Sequence, residues 1–333
     1  MIIRYDAKDS ICHQAGITLV ELMVALTIGS FLMVGAMQIF NQSRQAFIIN
    51  ESIARVQETA QFAMDTIEAD LRMASNWGRH SRGAAIDGRS LIGDDDPLNL
   101  LPPGDCGATW AIDLGRPLVG SNNAYTLPCA ADGGAQPNSD VVTTRRATVA
   151  AMPPEDGRLQ IQTTRIQGEL FKDGIVPVGF DPNPTVSQTH NLLVNSYYVA
   201  ATSALLPGTP AVPSLRRKML TRGAGGPEIV DQEVAPGVEN IQLQLGVDVD
   251  QDNTVDRYVN PGDPIFIPGD AAYIAGARVI TARIWIVVRG VTPEFGIVDT
   301  FNYQPGDVTL GVFNDNFRRM QISKTILLRN SRT

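Results

Sequence analysis

The apolar run over residues 17–40 constrains this chain more than any other feature. It holds 24 residues, and Glu21 is the single charged one. As a helix rising about 1.5 Å per residue it would be roughly 36 Å long, enough to cross a hydrocarbon core of about 30 Å. A carboxylate there costs on the order of 2.5–3.5 kcal/mol at the bilayer centre and less near its edge. Acids kept inside a membrane generally have a partner and a function. A cleaved secretory signal has a shorter apolar region, about 7–15 residues, ending at a small-residue cut site. Here the run is longer, and an amphipathic pattern continues beyond it. A plain membrane anchor has the right length but gives no reason for Glu21.

After Phe40 the pattern changes without a helix break. Apolar residues recur at Ile49, Ile53, Val56, Ala60, Ala63, Ile67, Leu71 and Ala74, in steps of three and four, which marks one face of a helix. Arg44, Gln45, Glu51, Arg55, Glu58 and Asp65 fill much of the other face. No proline occurs before residue 97. The spacing predicts one helix over 17–76, apolar all round over 17–40 and on one face over 41–76. Gly78 and Gly83 favour its termination. A coiled coil would use the same stripe, but the seam lasts about four heptads before a head region begins.

Gly (30) and Pro (21) concentrate after residue 76, favouring short strands and many turns over a helical bundle. Residues 77–333 read as a globular β-rich head. Within it, 77–235 reads as a loop-rich region, with short strands over 141–149, 158–167 and 196–204. Residues 236–333 are more regular. Ile241, Leu243, Leu245, Val247 and Val249 alternate, as do Ile280, Ala282, Ile284, Ile286 and Val288. Met320, Ile322, Ile326 and Leu328 share a third face. Three period-2 segments with one apolar face predict an antiparallel sheet covered on one side, and the helix stripe is the obvious cover. The fold class is α+β.

The surroundings of Glu21 are specific. A polar leader ends in Gly16, and Ile17, Thr18, Leu19, Val20, Glu21 and Leu22 open the apolar run. The stretch GITLVELMVAL resembles the prepilin signature of type IV pilins and type II secretion pseudopilins. The resemblance implies that a prepilin peptidase removes the leader 1–16 between Gly16 and Ile17 and methylates the new N-terminus. Ile17 stands where the family most often has Phe. In the family, the acid matching Glu21 pairs with the N-terminal amine of a neighbouring subunit as the fibre grows. That pairing removes an unsatisfied charge from a low-dielectric place, where it is most costly. The later segments VENIQLQLGVDVDQDNTVDRYV, ARIWIVVRG and ISKTILLRN resemble the PilW type of minor pilin.

The resemblance implies a pilin-like architecture with the long helix on the sheet. It further implies anchoring in a bacterial inner membrane by a single span, a periplasmic head, and later incorporation into a pilus fibre. The implied partners are the prepilin peptidase, other minor pilins and the major pilin, and no cofactor is required. A secretion pseudopilin is the alternative within the class. A membrane-anchored, calcium-binding adhesin that does not polymerise is the alternative from another class. Removing the leader also removes Cys12 from an odd set of three cysteines. In an oxidising compartment Cys106 and Cys129 then pair as a disulfide, worth roughly 3 kcal/mol, or remain two separate buried thiols.

The segment DVDQDNTVD places Asp248, Asp250, Asp252 and Asp256 at positions 1, 3, 5 and 9, with Thr254 at position 7. Alternate carboxylates in a tight loop suit calcium. Asn253 replaces the usual Gly, and Val259 replaces the usual bidentate Glu. The other reading is a solvated acidic hairpin, and the Asp94–Asp96 triplet reads the same way. No G-x-S-x-G, P-loop or H-E-x-x-H pattern occurs, so the reading is of a protein that is not an enzyme. A formal net charge of -8 argues against a nucleic-acid surface.

Overall fold

The computed structural model describes residues 16–89 and 109–332. The leader up to residue 15, Cys12, Asp94–Asp96 and Cys106 lie outside the described residues. Helix α1 spans Leu19–Met73. It ends three residues before the expected boundary. Ser75, two positions on, takes a positive φ of 66°, and its hydroxyl donates to the Ser81 carbonyl at 2.7 Å. A left-handed residue just past the last turn stops a helix, and here it precedes Gly78.

The chain divides into two compact units, one ending at Ser52 and one beginning at Ile53. The first is the apolar start of α1. It is long and apolar enough to cross a membrane, and its most apolar window has no buried residue. Phe31 is 79% exposed and Phe40 68%, so this surface is unsuited to water by itself.

The second unit holds the rest of α1 and fourteen strands among the described residues. The first eight are β1 (Ile86–Asp87), β2 (Leu118–Ser121), β3 (Val141–Ala147), β4 (Asp156–Thr163), β5 (Gly168–Asp173), β6 (Gln188–Ala200), β7 (Ser214–Gly223) and β8 (Gly226–Pro236). They form one sheet in the order β1-β5-β4-β6-β3-β2, with β7 beside β6 and β8 beside β7. Every pairing is antiparallel except β1 with β5. The remaining strands are β9 (Val238–Asp248), β10 (Arg257–Val259), β11 (Arg278–Arg289), β12 (Asn302–Tyr303), β13 (Gly311–Val312) and β14 (Arg319–Leu327). A second, fully antiparallel sheet runs β10-β9-β11-β14, and β12 pairs with β13 alone.

The expected helix stripe meets the expected sheet. Val56, Ala60, Ala63, Met64, Ile67 and Leu71 share one core cluster with Ile241, Leu243, Leu245, Ile284, Ile286, Val288 and Ile326 of the four-stranded sheet. Val142, Tyr197 and Leu215 of the larger sheet join the same cluster. Burying each Ile or Leu side chain contributes about 1.5–3 kcal/mol, so this contact supplies much of the second unit's cohesion.

Residues 77–235 carry the eight-stranded sheet: the strands expected over 141–149 and 158–167 overlap β3 and β4, the one over 196–204 overlaps the end of β6, and β1, β2, β5, β7 and β8 are additional. Its central strands bury polar side chains. Thr143, Thr144, Gln160, Gln162, Asn191, Asn195 and Ser196 are all buried. They satisfy one another: Gln160 donates to Asn191 at 2.8 Å, Gln162 to Ser187 at 2.6 Å, and the Thr143 and Ser196 hydroxyls meet at 2.7 Å.

Candidate functional site

The site begins with backbone donors. The first turn of any helix leaves N–H groups without partners. At the start of α1, Thr18 precedes the first helical residue and Glu21 lies three positions later. The Thr18 N–H and hydroxyl approach Glu21 Oε2 at 3.5 and 3.4 Å, and the Glu21 N–H donates to Thr18 Oγ1 at 3.3 Å. This reciprocal arrangement is a capping box, and the T-x-x-E spacing is visible in the sequence. Thr18 therefore belongs to the site, though the sequence reading had not assigned it. Its effect is to hold the Glu21 carboxylate at the helix start, where the helix dipole favours negative charge. Ile17, 73% exposed, sits immediately before it.

Of the two cysteines expected to pair, Cys129 is held in a disulfide. Its sulfur also lies 3.8 Å from the Tyr125 hydroxyl.

The aspartate segment forms the turn between β9 and β10. Asp248, Asp250 and Asp256 each place a carboxylate oxygen within 4.8 Å of the others. Asp252 does not join them. The Thr254 N–H and hydroxyl both donate to Asp252 Oδ1, at 2.7 and 2.6 Å, and hold that carboxyl below its usual pKa. Asp248 is fully buried. Burial alone would raise its pKa, but Arg278 at 2.7 Å and the N–H groups of Asn253 and Gln251 hold it below the usual carboxylate range. Asn253, in the expected glycine position, has φ of 69°, a geometry that Asn tolerates better than most residues. Val259 is buried in β10 opposite Leu245, so no twelfth-position ligand is present. Arg278 is a partner that sequence spacing gave no means of finding.

Three clusters around buried charged or acidic side chains lie in the second unit. Asp70 of α1 receives Arg146 Nε and Nη2 at 3.0 and 2.9 Å, Asn195 at 2.6 Å and the Tyr197 hydroxyl at 2.6 Å. Burial and the Asp70 charge push the Tyr197 phenol up. Arg319 at the start of β14 meets Glu239, Asp299 and Asp315. Burial would lower its pKa, but hydrogen bonds to Asp315 and Glu239 keep it raised and charged. Asp140 accepts from the N–H groups of Asn123 and Leu243, each at 2.7 Å, and joins the base of β3 to β9. Burial pushes its carboxyl up to about 7, against those two hydrogen bonds.

Comparison with known families gives two matches. Residues 11–37 match the prokaryotic N-terminal methylation motif, which takes in Gly16, Ile17, Thr18 and Glu21. Residues 196–330 match type IV pilus-assembly protein W, PilW. The second match starts within β6 and includes all of the four-stranded sheet. No curated protein and no solved structure matches the chain. With a long apolar N-terminal helix and an antiparallel-rich sheet domain, these two matches support a type IV pilin, most like PilW.

Proposed function

We propose that this chain is a minor pilin, cut between Gly16 and Ile17 and carried into a type IV pilus, where it primes assembly with other minor pilins. The observation that carries the reading is the placement of Glu21. It lies in the first helical turn, just after the proposed cut site, at the start of a helix whose N-terminal apolar stretch is exposed. In the unassembled subunit the Thr18 cap holds this acid. In the fibre, the methylated amine of a neighbouring subunit's first residue replaces that weak partner with an opposite charge. Association is favoured because an ion pair in a low-dielectric medium outweighs two long hydrogen bonds to a hydroxyl and an amide. The membrane span anchors the subunit until it is extracted, and the sheet domain stays outside the fibre core. The family supplies structural subunits, in line with a chain that is not an enzyme.

Mass spectrometry of the purified chain is expected to find Ile17 as the first residue, methylated. Glu21→Ala is expected to leave the cut intact and to lower incorporation into filaments roughly tenfold or more, since the amine then lacks its partner. Wild-type incorporation of that variant, or an intact leader on the native chain, would sink the reading.

The gathered carboxylates favour a second function for the head. The residues fit a hard divalent cation in part: Asp248, Asp250 and Asp256 offer converging oxygens, while Arg278 competes for Asp248 and Val259 offers none. Calcium is proposed there at the weak end, with a dissociation constant on the order of 10⁻⁴–10⁻³ M. Calorimetry should show saturable heat with millimolar calcium, lost in the Asp250→Asn/Asp256→Asn double variant. A flat titration would leave an acidic hairpin closed by Arg278.

A further inference from the structure

The outer face of the four-stranded sheet, opposite the helix-facing core, carries an arrangement that the pilin role does not use. One half of this face is covered: Asn240 and Gln242 are buried, and Gln321 donates to the Gln304 carbonyl. The other half is open. Ser323 and Thr325 of β14 are exposed, Leu327 is 42% exposed, and Trp285 and Arg283 of β11, Gln244 of β9 and Tyr258 of β10 are half-exposed. Tyr258 pairs with Gly246. A Cβ at Gly246 would stand 2.0 Å from Thr281 Oγ1 and 3.0 Å from the Tyr258 ring, so the glycine lets the ring lie across β9. The Arg283 guanidinium then sits 3.9 Å above the Tyr258 ring and 5.8 Å from that of Trp285.

The other half-buried or buried arginines among the described residues each have a polar partner: Arg79, Arg89 and Arg145 donate to carbonyls and Arg217 to an amide oxygen. Arg146, Arg216, Arg278 and Arg319 each meet a carboxylate. Arg283 is held by ring stacking and donates no hydrogen bond among the described residues, although acids outnumber basic residues 35 to 27. Its planar fork of N–H donors is therefore presented on the surface, pre-oriented by Tyr258, with an indole face beside it and hydroxyl and amide groups around it. Such a fork matches a carboxylate in two-point contact, and an exposed aromatic face takes a flat apolar ring surface.

We propose that this face binds an acidic saccharide, a pyranose carrying a carboxylate. Arg283 receives the carboxylate, Trp285 stacks on the ring, and Gln244, Ser323 and Thr325 meet its hydroxyl groups. A nucleic-acid strand would need a row of cations along its phosphates, and this platform offers one in a protein of net charge -8. A neutral sugar would leave the Arg283 donors without an acceptor.

The test uses the full-length protein in detergent and three probes: an oligogalacturonate, a neutral galactan of equal length, and oligothymidylate. Binding is read by calorimetry and tryptophan fluorescence. The expected result is saturable oligogalacturonate binding that is abolished in Trp285→Ala and weakened roughly tenfold or more in Arg283→Gln, the usual effect of losing a charged hydrogen-bonding partner. The galactan is expected to bind weakly and equally to the native chain and Arg283→Gln, and Arg283→Lys to recover only part of the affinity, since it lacks the fork. Circular dichroism confirms that both variants at Arg283 remain folded. The proposal is overturned by no saturable oligogalacturonate binding up to millimolar concentrations, by binding that survives both Trp285→Ala and Arg283→Gln, or by tighter binding of oligothymidylate.

Discussion

Replacing Arg319 with Met is expected to lower the stability of the head by about 3–5 kcal/mol, the range for removing one partner from a buried ionic group. The Arg319 side chain is 1% exposed. Its Nε and Nη2 reach the two oxygens of Glu239 at 2.6 and 3.2 Å, Nη1 reaches Asp299 at 3.1 Å, and Nη1 and Nη2 reach Asp315 at 2.6 and 2.7 Å. The guanidinium also lies 3.7 Å over the Phe313 ring. Methionine fills similar space but leaves three carboxylates around a position with no charge. Arg289, 3.8 Å from Glu239, offsets one of them at most. These acids come from β9 and from the segment between β11 and β14, so the cluster fastens that segment to the sheet. Hydrogen exchange in residues 290–318 should accelerate most, and urea unfolding should report the total loss. Arg319→Lys should recover only part, because a point charge cannot reproduce the bidentate contact. A loss below about 1 kcal/mol, the scale of an exposed pair, would show that the cluster is well hydrated and that its energetic role is small.

Asp70→Ala is expected to be of similar size, about 3–5 kcal/mol, for the mirrored reason. Here the acid is removed, leaving Arg146, Asn195 and Tyr197 pointing at a void. Asp70 is 4% exposed, and its three accepted hydrogen bonds and its ion pair with Arg146 join α1 to β3 and β6. Asp70→Asn keeps the shape but turns an amide N–H₂ toward neighbours that are all donors, so it should recover little. Thermal melting compared across Asp70→Ala, Tyr197→Phe and the double variant would separate the pairwise coupling from the total. Tyr197→Phe alone should cost about 1–3 kcal/mol, since Asp70 keeps Arg146 and Asn195. Additive losses in the cycle would mean that the two groups act independently, contrary to the 2.6 Å contact.

The parts that were legible in the sequence share a physical property: they depend on neighbours in the chain. GITLVELMVAL can be read because its glycine, its acid and its apolar run lie side by side in the chain. The helix stripe and the strands now seen as β9, β11 and β14 can be read because apolar side chains repeat at the period of the element that buries them. Hydrophobic burial is non-directional, so alternation suffices to say which face goes inside. In the eight-stranded sheet, β3, β4 and the end of β6 were legible as short strands, but their pairing into one sheet was not, because hydrogen bonding between groups such as Gln160, Gln162, Asn191 and Thr143 requires partners already in place. The aspartate loop was half legible. Its alternate carboxylates were plain, and Asp252 meets Thr254 two residues on, but the ion pair of Asp248 with Arg278 follows from the β9–β11 pairing.

The sequence by itself therefore determined the long apolar helix, its stripe, and a small antiparallel sheet to receive it. Only the tertiary structure decided which polar groups are buried together. Asp70 meets Asn195 and Tyr197 across 125 and 127 residues, Arg319 meets Glu239 across 80, and Tyr258 is laid under Arg283 because Gly246 leaves room. A charge can be buried only where distant strands bring its counterpart within about 3 Å, and that distance is set by packing, which no local period records.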